Sequence, residues 1–259
     1  MRILVEQVPA GGREQNTARV GVVFPAYNEE EHVAEAVQAA LGVGLGRVVV
    51  VNDCSRDATG SIIDRLAAGD PRVEALHHEV NQGKQAAVKH GLEAMVRHPD
   101  AEVVAVFDAD MQDDPATLPA LSPLVGRYDL VIGRRYRGDM PFARRLANSL
   151  ANVPYRLVAG IRIHDVQSGF RVYTREVAAY LARNLTVKGR YTLEHTSLLL
   201  FGKLANERGR DFRIAEMPVP YTYEGAKSSI RLRDNLQLTW ATVYHAVALA
   251  WVQRSKKRR

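Results

Sequence analysis

Two carboxylates stand two positions apart at Asp108 and Asp110, in the segment VFDADMQDDP, directly after an apolar run. At a strand terminus such residues project to the same side, where they can share a hard divalent cation with a diphosphate. Gln112 continues the alternation with a neutral oxygen. The competing reading is an acidic turn in which Asp113 or Asp114 caps a helix begun at Pro115. Asp53, in VVVVNDCSRDATG, also follows an apolar run and can accept hydrogen bonds from a nucleotide base or ribose. Equally, Asp53 or Ser55 can cap the next helix. Between these segments, NQGKQAAVKHG sets Lys84 at a helix start, where anions are already favoured, and Gly83 admits close approach of the backbone.

Other chemistries fall away. The glycine fingerprint of dinucleotide binding should follow the first central strand, which instead ends FPAYNEEE, and no Walker loop is present. Gly42, Gly44 and Gly46 precede a strand and read as a loop. His77 and His78 are adjacent and cannot share one face, and His90, His98, His164, His195 and His245 show no metal-ligand spacing. Glu194, in GRYTLEHTSLLL, reads as a carboxylate at a helix start, the alternative being one that reaches the acceptor sugar site. Cys54 reads as a small packing residue.

These residues need a scaffold that brings strand ends together. Apolar runs at 20–24 (VGVVF, closed by Pro25), 47–51, 73–77, 102–107 and 129–132 alternate with helical spacing at 29–41, 57–68, 84–96 and 117–125. Strands apolar on both faces and separated by helices imply a parallel sheet covered on both sides, with ligands beyond the carboxyl ends of its strands. The second half is less regular: a helix over 140–158 rich in Arg and Asn, short strands at 166–173 and 215–218, and a helix over 195–208 between them. From position 232, Leu232, Leu236, Trp240, Val243, Val247 and Trp251 recur every three or four positions as an amphipathic helix, followed by the basic tail Arg254 and Lys256 to Arg259. Residues 1–19 read as a flexible lead-in.

The chain has 259 residues with a formal charge of +6, and 46% hydrophobic with 25% charged residues describes a folded globular protein. A single cysteine rules out an intrachain disulfide and favours a reducing compartment, the cytoplasm. Neither a signal peptide nor a run of about 18 apolar residues is evident. The basic balance suits an anionic partner. Nucleic acid is not that partner, because the tail SKKRR carries no interleaved aromatics.

Taken together, FPAYNEEE, VVVVNDCSRDATG, NQGKQAAVKHG and FDADMQDDP resemble the inverting family 2 glycosyltransferases with the GT-A fold. IGRRY, FARRLAN, DVQSGFRVY and EMPVPYTYEGAKSS make the closer likeness one to the dolichol- and polyprenyl-phosphate mannosyltransferase group. The resemblance implies an α/β GT-A fold, Rossmann-like, with a mostly parallel sheet and helices on both faces. Residues 20–230 would form the catalytic domain, with a nucleotide-sugar half over about 20–135 and an acceptor half over about 136–230. Residues 231–259 would add the amphipathic helix and tail. It implies transfer of a sugar from a GDP- or UDP-linked donor to a polyprenyl phosphate, dependent on Mg2+ or Mn2+. A soluble acceptor is the rival reading.

Carried over residue by residue, the likeness gives Pro25, Tyr27, Glu29, Asp53, Lys84 and Asp108 to the nucleotide sugar. Asp108, Asp110 and Gln112 go to the metal, and Asp110, Arg134, Arg135 and Arg144 to catalysis. Asn148, Asp165, Ser168, Arg171 and Lys227 go to the acceptor side, with Gly169 and Phe170 in the same loop. Asn148 stands where the family often has a serine. The transmembrane helices of the family's membrane-bound members are not evident here, so the expected place is the cytoplasm, with peripheral contact at the anionic inner face of the cell membrane through the C-terminal helix.

Overall fold

Runs of β-branched residues build a sheet buried on both faces, seen in a computed structural model that describes residues 1–9, 17–136, 142–186, 193–222 and 232–255. In chain order the first elements are β1 (Ile3–Gln7), β2 (Val20–Ala26), α1 (Val33–Gly42), β3 (Arg47–Asn52), α2 (Thr59–Gly69) and β4 (Val73–His77). Next come α3 (Lys84–Met95), β5 (Val103–Val106), α4 (Leu118–Leu121), β6 (Leu130–Arg135) and α5 (Phe142–Pro154). The last are β7 (Arg171–Thr174), α6 (Arg175–Asn184), α7 (Leu193–Arg208), β8 (Phe212–Val219) and α8 (Leu232–Ser255).

The strands form one sheet in the order β1-β8-β6-β7-β5-β2-β3-β4. Every neighbouring pair is parallel except those of β7, which runs antiparallel to both β5 and β6. Successive valines alternate between two cores, as the pleat requires. Val49 and Val51 join Leu92 of α3, Leu181 of α6, Phe201 of α7 and Leu249 of α8 on one side. Val48 and Val50 join Val37 of α1, Ile63 of α2 and Leu121 of α4 on the other. This is the mostly parallel α/β sheet, covered on both faces, that the sequence implies.

Several elements depart from expectation for identifiable reasons. The lead-in is not loose throughout: Ile3–Gln7 pair in parallel with Phe212–Glu216, and Ile3 is buried. Pro25 does not end its strand. Main-chain bonding places Val23 toward β5 and Ala26 toward β3. Pro25, between them in the alternation, turns its missing donor to the side where the pairing with β5 has already stopped at Val23. α1 starts at Val33 rather than at residue 29, because the amides of Glu29 and Glu30 bond to Thr59 Oγ1 (2.8 Å) and Asp57 Oδ2 (3.2 Å). Residues 115–124 break into short helical pieces around Pro115, Pro119 and Pro123. Residues 166–170 form a turn instead of a strand, and α6 was not foreseen.

α8 carries its stripe on the outer side wherever its side chains are described. Ala246 and Leu249 are fully buried and Thr242 and Ala250 nearly so, whereas Val243, Val247 and Trp251 face outward, with Trp251 72% exposed. The helix sits against α7 at Gly202, where an added Cβ would lie 2.5 Å from Leu249 Cδ1, so small residues set the approach. The side chains of Leu232, Leu236 and Trp240 lie outside the described residues.

Candidate active site

Three loops leave the carboxyl ends of β2, β3 and β5 and meet at one edge of the sheet. Each holds one non-glycine residue in the left-handed region: Asn28 (φ 57°), Cys54 (φ 59°) and Met111 (φ 57°). Such conformations persist where surrounding contacts fix them, and they gather at functional sites. Here the contacts are explicit. Asn28 N–H donates to Ser55 Oγ (3.0 Å) and Asn28 Oδ1 accepts from Arg56 N–H (2.9 Å), tying the first loop to the second.

Asp53 organises the third segment. Its carboxylate accepts from the amides of Gln82 (2.8 Å) and Gly83 (2.7 Å) and pairs with His78 Nδ1 (2.7 Å). It is 3% exposed, so it holds the NQGK loop in place and offers little to solvent. Tyr27, by contrast, on the loop after β2, is 43% exposed. Gly83, with φ 88°, begins α3 and delivers Lys84 to the acidic segment. Lys84 Nζ donates to Asp108 Oδ2 at 2.8 Å and lies 3.8 Å from Glu194 Oε1.

The acidic segment carries more negative charge than its neighbours balance. Burial first, then Asp110 and Asp108, push Glu29 up to about 7. Burial, then Asp108 and Asp110, push Asp113 up to about 8, and one oxygen of its carboxylate is buried with no hydrogen-bond partner. Asp110 is raised as well, by burial and then Asp108. Among the described residues no three His, Cys, Asp or Glu side chains are grouped to hold a metal ion. Two carboxylates and an amide oxygen nonetheless suit a hard cation whose remaining ligands come from a diphosphate and water. The surplus charge fits such an ion.

A pH dependence follows with a definite sign. The folded protein keeps protons on Glu29 and Asp113 that the unfolded chain has already shed, so stability declines as pH rises from about 4 to about 8. A cation in the cluster removes that repulsion. Mn2+ is expected to raise the melting temperature more at pH 8 than at pH 5.5, as scanning calorimetry would show; an equal shift at both would disconnect the acids from the ion.

A second set of contacts ties β6, β7 and β8 to this edge. Asp165, 1% exposed, accepts from Arg135 Nε (2.9 Å) and Nη2 (2.7 Å) in a two-pronged pair. Glu216, completely buried in β8, takes the amides of His164 (3.0 Å) and Asp165 (2.9 Å) and so holds that loop. Arg135 also lies over the Tyr221 ring, 5.4 Å from its centre, and the Tyr221 hydroxyl donates to Gln112 Oε1. Ser168 Oγ donates to Gly133 O (2.6 Å), and Gly133 is needed there because a Cβ would stand 2.8 Å from the Phe170 ring.

The structure redistributes the roles on this side. Arg171, 1% exposed, donates to Ser168 O (3.0 Å), Val166 O (2.9 Å) and Ser197 Oγ (2.6 Å), so it supports the loop from within and does not reach an acceptor. Arg134 Nε and Asn148 Oδ1 are buried without hydrogen-bond partners. Arg144 falls in the first turn of α5, but its side chain, like all of Lys227, lies outside the described residues. Glu216 and Tyr221 both lie in EMPVPYTYEGAKSS, but sequence reasoning gives neither a role. A lone acid inside the apolar strand FRIAEMPV was the available signal for Glu216.

A mostly parallel sheet with one antiparallel strand, and an acidic segment at the carboxyl edge opposite a lysine and an arginine-lined side, define the GT-A class of glycosyltransferase folds. The chain belongs to glycosyl transferase family 2, whose sequence model matches residues 21–181. It is 34% identical over 169 residues to the polyprenol monophosphomannose synthase of Mycolicibacterium smegmatis, covering 62% of this chain and 63% of that protein. It is 26% identical over 260 residues to the dolichyl-phosphate beta-glucosyltransferase ALG5A of Trichomonas vaginalis, covering 92% and 77%. The chain thus spans somewhat under two thirds of the Mycolicibacterium relative. Among solved structures, glucosyl-3-phosphoglycerate synthase from Mycobacterium tuberculosis, crystallised with Mn2+, uridine diphosphate and phosphoglyceric acid, superposes with a TM-score of 0.65. That match covers 92% of this chain and 85% of the other at 17% identity, a likeness of fold.

Proposed function

We propose that this chain transfers a sugar, with inversion, from a nucleoside-diphosphate sugar to a polyprenyl phosphate, and that it requires Mg2+ or Mn2+. The observation that carries the reading is the acidic segment Asp108–Asp110–Gln112 facing Lys84 across a partly exposed edge. Relatives named as polyprenol- and dolichyl-phosphate sugar transferases support the acceptor class.

In this reading Tyr27 and Pro25 lie against the base, and Asp53 acts indirectly by fixing the NQGK loop. Asp108, Asp110 and Gln112 would hold the cation, which supplies charge neutralisation to the leaving diphosphate. Lys84 adds a positive charge on the same side. The family likeness gives the acceptor phosphate to Arg134, Arg144 and Lys227, and Arg134 Nε has no partner within the protein. A phosphate oxygen is already a competent nucleophile near neutral pH, so alignment and neutralisation are what the protein must provide. The buried Arg135–Asp165 pair keeps the acceptor loop in register with the metal segment through Tyr221.

Incubation with a panel of GDP- and UDP-sugars, Mn2+ and a short polyprenyl phosphate is expected to yield a lipid-linked sugar. Product only with a water-soluble acceptor would replace the lipid reading.

Membrane contact belongs to the same proposal. None of the described helices is long and apolar enough to cross a bilayer. Leu146, Leu150, Val153 and Leu157 are exposed along α5 and the π turn that continues it, and Val243, Val247 and Trp251 along α8, which packs against that turn. Two apolar stripes beside Arg145 and Arg156 suit the interface of an anionic leaflet. Co-sedimentation with vesicles containing phosphatidylglycerol is expected, and Leu157→Asp with Trp251→Asp should lower the bound fraction about tenfold. Unchanged binding by the double variant would exclude these helices.

A further inference from the structure

Lys84 occupies an electrostatically awkward place. It is the first residue of α3, where the helix dipole disfavours a cation. Two carboxylates offset this: Asp108 Oδ2 at 2.8 Å and Glu194 Oε1 at 3.8 Å. Burial works against the lysine's charge, but Asp108 and then Glu194 outweigh it and hold the ammonium above its ordinary range. Burial likewise opposes ionisation of Glu194, yet Lys84 and Arg171 keep its carboxyl below the usual carboxylate range. The main chain closes over the pair. A Cβ on Gly169 would lie 3.2 Å from Lys84 Nζ and 3.6 Å from Asp108 Oδ2, so the loop leaves the ammonium just enough room at this point.

The side chains of Lys84 and Asp108 are each 38% exposed, whereas that of Glu194 is 13% exposed. One ammonium therefore has an outer carboxylate and an inner one. We infer that Lys84 is a resident cation that a divalent ion displaces from Asp108, and that Glu194 is the positioning residue that receives it. This rests on the reading of Asp108 as a metal ligand. Without the ion, the lysine neutralises Asp108 and limits repulsion within the acidic segment. When the ion arrives, Asp108 changes partner, and the ammonium moves toward Glu194, staying within reach of a diphosphate bound to the ion. The site then exchanges one cation for another and gains a free positive charge where the donor's phosphates come to lie.

The exchange makes apparent metal affinity depend on how often Asp108 is free, and Lys84 and Glu194 act on that fraction in opposite directions. Mn2+ binding to the full chain, without nucleotide, is read by the loss of the free-ion paramagnetic resonance signal. Lys84→Met is expected to tighten binding about fivefold, because Asp108 is always free. Glu194→Gln should weaken it by about the same factor, because the ammonium has nowhere else to go. In the Lys84→Met background, Glu194→Gln should change nothing, since the two act through one another. A persistent effect there would make Glu194 a direct electrostatic partner of the ion and overturn the exchange.

Lysine acylation followed by mass spectrometry gives a readout independent of affinity: Mn2+ should alter the labelling rate at Lys84 severalfold in the native protein and leave distant lysines unchanged. Lys84→Gln stands in if the methionine variant does not fold. Binding by the native chain with no change in Lys84→Met would defeat the exchange and leave the metal reading intact. No binding by any of the proteins would defeat both.

Discussion

Asp110→Asn is expected to leave a folded protein whose transfer rate has dropped by about a thousandfold or more, or about 4 kcal/mol of barrier. Asparagine keeps the size of the side chain and the oxygen that accepts from the Gln112 amide at 3.1 Å, so the Asp108–Gln112 turn should survive. What disappears is one full negative charge beside Asp108. An amide oxygen binds a hard cation far less well than a carboxylate does, and the leaving diphosphate then departs with its charge uncompensated. Because burial and Asp108 already raise the Asp110 pKa, the substitution also relieves repulsion, so the melting temperature should stay level or rise slightly. Stability kept while activity disappears is the signature sought. Steady-state assays and calorimetry on the same preparation measure both. An active Asp110→Asn protein, or undiminished native turnover in chelator, would remove the metal from the proposal.

Arg171→Met should produce the largest loss of stability of any single substitution on the acceptor side. Methionine fills most of the volume, but the carbonyls of Ser168 and Val166 and the Ser197 hydroxyl lose the donors that satisfy them inside the protein. Leaving several buried acceptors unpaired costs about 3–5 kcal/mol in total, well short of the sum of individual bonds because the loop relaxes. For a chain of this size that is about 10 °C in melting temperature. Glu194 would also lose a cation that favours its ionised form. Chemical denaturation would give the number, and a loss below about 1 kcal/mol would show that the loop does not depend on this arginine.

The parts legible in the sequence are those where one physical effect dominates locally. Valine runs between helical periods specify a parallel sheet, and the polar segments after its strands do meet at one edge of it. The parts that were not legible depend on partners distant in the chain. Arg171 belongs to a motif that suggested acceptor contact, yet its acceptors sit on the turn at 166–168 and on α7. Tyr221 reaches Gln112 across 109 positions. On α8 the spacing picks out Val243, Val247 and Trp251, which face outward, and misses the packed face, because hydrophobicity records large side chains, whereas Gly202 and Ala246 pack by being small. β1 was invisible for a different reason: as an edge strand it buries only Ile3 of its five residues, so no alternation of apolar and polar positions marks it.

The partner of β1 has a consequence for the order in which this protein can be made. Ile3 pairs with Phe212, and Arg2 N–H donates to Asp211 across 209 positions. β1 is synthesised well before its neighbour in the sheet and must wait for it. During that interval β2 to β5 already have their mutual partners, whereas the β1 segment presents an open row of amides and carbonyls. Closing so long a loop is slow, since topology of high contact order delays folding. Between the synthesis of β1 and that of β8 this edge of the sheet stays uncapped, the state in which strand-to-strand association between copies is easiest. Arg2, Glu6 and Gln7, the polar residues of this segment, are what the waiting strand offers to solvent until β8 is made.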